Sequence, residues 1–308
     1  MKHSKDYKNG IITLLGCNTL WGVLPVYWQA LRPIDSWVII FYRIFLVGLV
    51  AGAASLKVYG WSEIKKHLMI KKNLLLFPVT GLLITCNWSI YIWAVNADYV
   101  IQTCVGYYIE PLVVCLFGLV LFRERLTRYK MGAMLMALVG IVIILFHFGE
   151  LPNIALGLAF SFAIYAALKK NFNLPAIMSV FLETFFLMWP ALGVVIYLES
   201  TGQGALAVGE PNKYALMLLS GVLTATPLSL FANGAKKVPL VVTGLMEYIG
   251  PSITLIIGIF FMKEPFDVVQ LIAFIFIWIG LIYFTIGEFK MPDPGSITEE
   301  QREITNEI

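Results

Sequence analysis

The sequence predicts an all-α membrane protein in which ten transmembrane helices form two inverted five-helix repeats. The composition is 59% hydrophobic and 13% charged, and the mean hydropathy is +0.82, outside the range of soluble globular domains. Apolar runs long enough to cross a bilayer recur along the chain, and two of them resemble each other in sequence. Little of the chain is left for a soluble domain.

The repeat is clearest between residues 100–125 (VIQTCVGYYIEPLVVCLFGLVLFRER) and 240–265 (LVVTGLMEYIGPSITLIIGIFFMKEP), which align without a gap. These segments are the fourth and ninth predicted spans, an odd number of spans apart, so they cross the membrane in opposite directions. Inverted repeats are typical of secondary transporters, with the substrate site near the midplane where the repeats meet. Identical pairs, each 140 residues apart, include Tyr108/Tyr248, Ile109/Ile249, Pro111/Pro251, Gly118/Gly258 and Glu124/Glu264.

Each predicted repeat contains five spans. The first apolar run follows a basic start, and we interpret it as a retained helix because no clear signal-peptide cleavage site follows it. The first repeat covers 1–148, the second covers 149–287, and 288–308 is predicted to be a disordered cytoplasmic tail. The predicted spans are 11–31, 36–56, 74–96, 100–121, 127–147, 152–170, 176–198, 214–235, 240–261 and 267–287.

Basic residues are concentrated on one side of the predicted spans. With the N-terminus inside, the cytoplasmic side receives 18 of the 22 lysines and arginines; the other four are Arg32, Arg43, Lys213 and Lys263. This distribution follows the positive-inside rule and predicts a multi-pass protein of the bacterial plasma (inner) membrane with both termini cytoplasmic. Five lysines within 57–72 are expected to contact anionic membrane lipid. Basic residues scattered along membrane borders argue against a nucleic-acid partner.

Four ionisable residues fall within the spans: Arg43, Glu110, Glu183 and Glu247. A charged side chain at the centre of a bilayer costs about 2.5–3.5 kcal/mol on the insertion scale. These side chains are therefore expected to face protein or water and to mark a functional site.

Glu110 and Glu247 lie beside prolines that interrupt helix hydrogen bonding. Pro111 cannot donate to the carbonyl of Tyr107, and Pro251 cannot donate to that of Glu247. Tyr107, which is equivalent to Glu247 in the repeat, lies one helical turn from Glu110 and shares its face. One interpretation is a midplane site, including Tyr248, for a cationic or hydrogen-bonding substrate or for a proton. The other is that two buried protonated acids bridge helices.

Arg43 and Glu183 occupy equivalent positions in the two repeats. Their predicted depths differ by about 9 Å along the membrane normal. A direct ion pair forms only if the arginine side chain reaches down. Otherwise Arg43 contacts Glu110 or backbone carbonyls, and Glu183 contacts hydroxyls such as that of Thr184. A static pair and a gating switch both remain open.

The third span reads NWSIYIWAVN. Asn87 and Trp88 lie four and three residues before Tyr91, so both share a helix face with it. These three side chains could line an amphipathic pocket with aromatic walls and one amide. An amide at this depth is costly if it faces lipid, which favours an inward position.

The chain resembles the RarD-type permeases, EamA-domain members of the drug/metabolite transporter superfamily. The motifs that carry the resemblance are NWSIYIWAVN, GYYIEPL, LPNIALGLAFSFAIY, ET at 183–184 and YIGP at 248–251. The resemblance covers nearly all of 10–287. It implies ten helices in two inverted repeats and a permease whose family naming refers to chloramphenicol sensitivity or drug export.

Three positions depart from the family pattern. The family usually has Asn where this chain has Glu110, Gln in place of Glu247, and His in place of Tyr42. The resemblance therefore implies that Arg43 and Glu183, which match the pattern, belong to the shared machinery. The carboxyl groups at 110 and 247 would then serve a substrate or coupling ion particular to this chain.

The favoured function is a secondary transporter of small organic molecules, with drugs such as chloramphenicol or related metabolites as candidate substrates and protons as a candidate coupling ion. The alternatives are an intramembrane enzyme and a non-transporting membrane sensor. No HExxH motif, Gly-rich phosphate loop or mid-membrane histidine supports catalysis. The four cysteines lack metal-ligand spacing, so neither metal nor cofactor is expected. The sequence does not define the oligomeric state.

Overall fold

A computed structural model describes residues 5–96, 100–149, 153–262 and 267–290. Within these ranges the regular structure is helical throughout. A 3₁₀ turn covers Ala205–Val208, and a π-helical turn covers Gly258–Met262. The helices are α1 (Lys5–Ala30), α2 (Ser36–Leu68), α3 (Lys71–Asn96), α4 (Val100–Phe122), α5 (Arg128–Phe148), α6 (Asn153–Lys170), α7 (Ala176–Ser200), α8 (Pro211–Gly234), α9 (Leu240–Glu247), α10 (Ile249–Ile257) and α11 (Val268–Lys290).

The helices account for the ten predicted spans, with α9 and α10 together forming the ninth. Nine segments within the described residues are long and apolar enough to cross a membrane. The remaining span corresponds to α6, which has 18 residues and ends in Lys169 and Lys170. The predicted fold class is confirmed, and the chain is a multi-pass membrane protein.

Equivalent helices of the two repeats pack against each other and run antiparallel. Gly132 of α5 lies against Tyr283 of α11, whereas Gly140, further along α5, lies against Ile277, earlier in α11. Opposite directions of travel are what an inverted duplication requires. The same order holds between α2 and α7, where the close pairs are Gly48/Met188 and Gly52/Phe181.

The remaining helix contacts are also related by exchange of the two repeats. Helix α1 packs on α8 and α10, and its equivalent α6 packs on α3 and α4. Likewise α2 packs on α8, and its equivalent α7 packs on α3. Helices α1, α3, α4, α8 and α9 thus pack mainly against helices of the other repeat. Any site formed between these five helices therefore lies at the junction of the repeats.

The two proline-containing spans differ in shape. The ninth span is divided at Tyr248, between α9 and α10, three residues before Pro251. The fourth span continues as one helix through Pro111. A close approach fixes the crossing of α4 and α9, since a Cβ on Gly244 would lie 2.6 Å from the carbonyl oxygen of Pro111.

Two segments outside the predicted spans are partly helical. Helix α2 extends to Leu68, with a break at Gly60 where φ is 75°, so much of the polar segment 57–73 is helical. At the C-terminus, α11 continues to Lys290, and Glu288 lies 3.6 Å from Lys130. The predicted tail therefore does not begin at residue 288, and residues 291–308 lie outside the described ranges.

Candidate functional site

Arg43 lies in α2, about 10 Å along the axis from the helix start at Ser36. Its Nε donates a hydrogen bond of 3.1 Å to Oγ1 of Thr224 on α8. The guanidinium carbon lies 3.8 Å from the ring centre of Trp88 and 4.8 Å from that of Trp28. Both distances are within the range of cation–π attraction. Arg43 therefore connects α1, α2, α3 and α8.

Three tyrosines surround the same guanidinium at longer range. Tyr27, Tyr91 and Tyr107 lie within electrostatic range of Arg43, and the rings of Tyr91 and Tyr107 are 5.6 Å apart. Among the described residues, no carboxylate lies within ion-pair distance of Arg43. We use the name arginine box for five side chains that all remain partly exposed to a water-sized molecule: Trp28, Arg43, Trp88, Tyr91 and Tyr107.

The fourth and ninth spans each place a glutamate in the protein core. Glu110 on α4 is 8% exposed, and Glu247, the last residue of α9, is 4% exposed. Oε2 of Glu110 and both carboxyl oxygens of Glu247 have no hydrogen-bond partner among the described residues. The two carboxyl groups lie within electrostatic range of each other. Because two unpaired ionised carboxylates are unstable in such surroundings, this pair is suited to hold a proton.

Glu183 on α7 forms a buried ion pair with Lys169 on α6. The Nζ–Oε1 distance is 2.6 Å, and the two side chains are 2% and 0% exposed, respectively. The hydroxyl of Tyr165 lies 3.4 Å from Oε2 of the same glutamate. Lys169 is one residue from the end of α6, so its long side chain extends from the helix terminus into the protein interior.

A second ionic group, formed by Glu124 and Lys170, lies where α4 ends and α9 begins. We call this end of the helix bundle the basic end. The carboxylate of Glu124 accepts hydrogen bonds from the backbone nitrogens of Leu240, at 2.6 Å, and Val241, at 2.8 Å. Lys170 Nζ lies 3.4 Å from Glu124 and donates to the carbonyl of Val238 at 2.7 Å. A negative charge thus caps the positive N-terminal end of α9 and joins it to α4 and α6.

The predicted pocket residues of α3 separate into two roles. Asn87 donates hydrogen bonds to the Leu158 carbonyl, at 2.9 Å, and to Oγ of Ser161, at 3.1 Å. It therefore joins α3 to α6. Trp88 and Tyr91, in contrast, belong to the arginine box.

The structure does not pair Arg43 with Glu183. Among the described residues, Arg43 bonds to Thr224 and the two tryptophan rings instead of Glu110 or a backbone carbonyl. Glu183 does meet a hydroxyl, that of Tyr165, but not the hydroxyl of Thr184, which donates within its own helix. These alternatives fail because each charge finds closer partners on neighbouring helices.

Sequence reasoning missed Lys169, Thr224 and Trp28 as partners of the intramembrane charges. Lys169 was counted with the basic residues of the membrane border, since it lies beside the helix end. A signal was present, because a long lysine near a helix end can reach a carboxylate deeper in the next span. Thr224 carries no such signal in a single sequence.

The described cysteines and acidic residues offer no cluster of metal ligands. Within the described ranges, no group of three or more His, Cys, Asp or Glu side chains is arranged to hold a metal ion. Cys17 and Cys115 are buried free thiols, and Cys86 is exposed. The Sγ of Cys115 donates to the carbonyl of Val241 at 3.3 Å, which gives this thiol a packing role between α4 and α9.

Comparison with known proteins gives matches along nearly the whole chain. The model of the "EamA-like transporter family" matches residues 8–146 and again 153–286. The "Uncharacterized transporter YojE" of Bacillus subtilis (strain 168) is 38% identical over 298 residues, which cover 94% of this chain and 97% of the relative. "Protein RarD" of Escherichia coli (strain K12) is 30% identical over 291 residues, covering 92% and 96%.

Two matches of lower sequence identity also cover most of the chain. The "Chloramphenicol-sensitive protein RarD" of Pseudomonas aeruginosa is 24% identical over 277 residues, covering 89% of this chain and 92% of the relative. A solved crystal structure superimposes with a TM-score of 0.69 at 16% identity, covering 92% of this chain and 99% of that one. At that identity the superposition shows a shared fold only.

Proposed function

Because the chain belongs to the EamA-like transporter family, we propose that it is a secondary transporter that moves small organic molecules by alternating access between its inverted repeats. Membership rests on the two family matches and on relatives at 38% and 30% identity. These relatives also confirm the resemblance to RarD-type permeases.

One observation carries the proposal. Three of the ionisable groups within the spans lie where helices of the two repeats meet: Arg43 of the first repeat bonds to Thr224 of the second, and Glu110 lies near Glu247. Movement of one repeat relative to the other must change the surroundings of all three groups. A static scaffold does not require costly polar groups at such a junction.

The coupling ion that we propose is the proton, carried by Glu110 and Glu247. Both carboxyl groups are buried, three of their four oxygens lack a hydrogen-bond partner among the described residues, and the groups influence each other electrostatically. Exposure to water on one side of the membrane would release a proton that burial retains. Exchange of that proton for substrate would give antiport.

The first candidate substrates are chloramphenicol and related small metabolites. Support comes from the name of a relative 24% identical to this chain, "Chloramphenicol-sensitive protein RarD". The aromatic walls of the arginine box would suit a planar ring of such a size. In this proposal the basic end faces the cytoplasm of a bacterium, with both termini on that side.

An intramembrane enzyme and a non-transporting sensor are the competing functions. The matching family is one of transporters, and the relative at 38% identity is named as a transporter, which favours transport over catalysis. A sensor would bind solute without moving it, so measured flux separates it from a transporter.

The test is solute-driven proton movement in proteoliposomes that contain a pH-sensitive dye. Chloramphenicol added outside should raise the internal pH as protons leave in exchange for the solute. The double variant Glu110→Gln/Glu247→Gln should abolish the signal, whereas Glu63→Gln, on an exposed position, should retain it. An unchanged signal in the double variant would exclude this pair as the proton carrier.

A further inference from the structure

The charges of the two repeats are balanced differently. Arg43 and Glu183 occupy equivalent positions, 140 residues apart. Glu183 has Lys169 at 2.6 Å, whereas Arg43 has no carboxylate within ion-pair distance among the described residues. The position equivalent to Lys169 is Gln29, which is neutral. The second repeat therefore supplies a counter-ion for its buried charge, and the first repeat does not.

The contacts of Arg43 leave part of its guanidinium unused. Within the part of the chain that the structure describes, Nε alone takes part in a hydrogen bond, to Thr224. The rings of Trp28 and Trp88 attract the positive charge but accept no directed hydrogen bond from the two terminal nitrogens. These terminal nitrogens form a planar fork that matches an oxyanion with two parallel hydrogen bonds. The residue is also not fully buried, since part of it remains accessible to water.

The surroundings of the fork are aromatic. Trp28 and Trp88 lie on the guanidinium, and the paired rings of Tyr91 and Tyr107 lie within its electrostatic range. Such walls favour a flat apolar group next to the anionic one. Residues from α1, α2, α3 and α4 contribute, with Thr224 from α8 holding the arginine in place. A substrate here would therefore contact the first repeat, and the hydrogen bond from Arg43 to Thr224 would link it to the second.

We propose that the arginine box binds an aromatic organic anion, in which a carboxylate next to a planar ring takes the counter-ion position that the first repeat leaves empty. The inference deepens the proposed function and rests on it only insofar as the bound anion is then transported. The anion would neutralise Arg43 on binding, which lowers the cost of keeping that charge within the membrane.

The test compares ligands that share a ring and differ in charge. Phenylacetate, phenylacetamide and 2-phenylethylamine are titrated into the full-length protein in detergent, followed by calorimetry and by tryptophan fluorescence. Because two tryptophans lie on Arg43, binding of phenylacetate should change the emission. Phenylacetate should bind at least tenfold more tightly than the amide, and the amine should not bind. Equal affinity for the acid and its amide would overturn the inference.

Variants locate the binding. Arg43→Gln should remove the preference for phenylacetate, and Arg43→Lys should retain a reduced preference, because an ammonium keeps the charge but loses the planar fork. Arg128→Gln is the matched control, since Arg128 contacts Tyr129 at the start of α5. If Arg43→Gln fails to fold, Thr224→Val keeps the test valid: it should weaken phenylacetate binding several-fold, and unaltered affinity would contradict the proposed site.

Flux measurements separate this inference from the proposed function. Binding of phenylacetate without counterflow of labelled phenylacetate in proteoliposomes would support the anion site and contradict transport of the bound anion. Counterflow of chloramphenicol without any preference for phenylacetate over its amide would support transport and contradict the anion site.

Discussion

The hydroxyl of Tyr248 donates a hydrogen bond of 3.1 Å to the backbone carbonyl of Tyr108, its own equivalent in the other repeat. Tyr248 is 2% exposed and stands at the interruption between α9 and α10. The bond therefore joins the continuous fourth span to the interrupted ninth span. It gives the duplicated tyrosines different roles, since one contributes its side chain and the other its backbone.

Removal of this hydroxyl should destabilise the contact between the repeats. Tyr248→Phe leaves a buried carbonyl without this partner, and a lost hydrogen bond of this kind costs about 1 kcal/mol. The melting temperature in detergent should fall measurably. Tyr197→Phe, at a side chain that is 63% exposed, is the control and should melt like the wild type. Equal melting of both variants would show that the bond contributes nothing.

The ion pair between Lys169 and Glu183 should show strong coupling. Removing one member of a buried ion pair leaves an unpaired charge and costs roughly 3–5 kcal/mol of stability, whereas replacing both members can be nearly neutral. Lys169→Met and Glu183→Gln should each lower the free energy of unfolding by about this amount. The double variant should recover most of the loss. A double variant whose loss equals the sum of the single losses would mean that the two side chains act independently.

Glu124 should stabilise the start of α9. Its carboxylate accepts two backbone hydrogen bonds there, and bonds to a charged group contribute about 1.5–3 kcal/mol. Glu124→Ala should therefore speed hydrogen exchange at the first turn of α9 and lower the unfolding free energy. Glu63→Ala, which removes an exposed ion pair with Lys66, should change neither. Unaltered exchange at Leu240 and Val241 in Glu124→Ala would refute the capping role.

Lys236, in the turn before α9, should make stability depend on pH. Burial lowers the pKa of Lys236 to about 8, with a further lowering by the charge of Lys169 and an opposing effect of Glu183. Between this value and the ordinary lysine pKa of about 10.4, the unfolded chain binds more protons than the folded one, so stability rises with pH. The penalty of the buried charge is present in full below pH 8.

The comparison is between Lys236→Met and wild type across pH 7 to 10. The variant should be more stable than wild type at pH 7, and the difference should shrink as the pH rises above 8. Lys237→Met serves as the neighbouring control. A constant difference between Lys236→Met and wild type over this range would contradict the lowered pKa.

Hydropathy and charge placement predicted the spans well, because whether a segment spans the membrane depends on that segment alone and not on its neighbours in the fold. The fifth span, predicted at 127–147, is the helix Arg128–Phe148, and the second was predicted to start at Ser36, where α2 begins. The repeat offset further predicted which helices are equivalent. Pro111 and Pro251, however, occupy equivalent positions in the fourth and ninth spans, and of these two spans only the ninth is interrupted. Gly250 before Pro251 lowers helix propensity in a way that Glu110 does not.

Partners of the intramembrane charges were harder to predict. The four charged positions were identified from their cost in a bilayer. Which residue reaches each of them depends on helix rotation and on side-chain reach across the repeat boundary. Lys169 reaches Glu183 from a helix end, and Thr224 reaches Arg43 from the other repeat. Neither contact produces a hydrophobic periodicity that could be recognised in a single sequence.

Uptake of labelled chloramphenicol into proteoliposomes with an acidic interior tests the central claim most directly. Exchange of internal protons for external solute predicts accumulation above that in protein-free liposomes, and loss of this accumulation when the pH gradient is collapsed. Gradient-independent equilibration would retain transport and remove proton coupling. Folded protein that takes up neither chloramphenicol nor phenylacetate above protein-free liposomes would contradict the account.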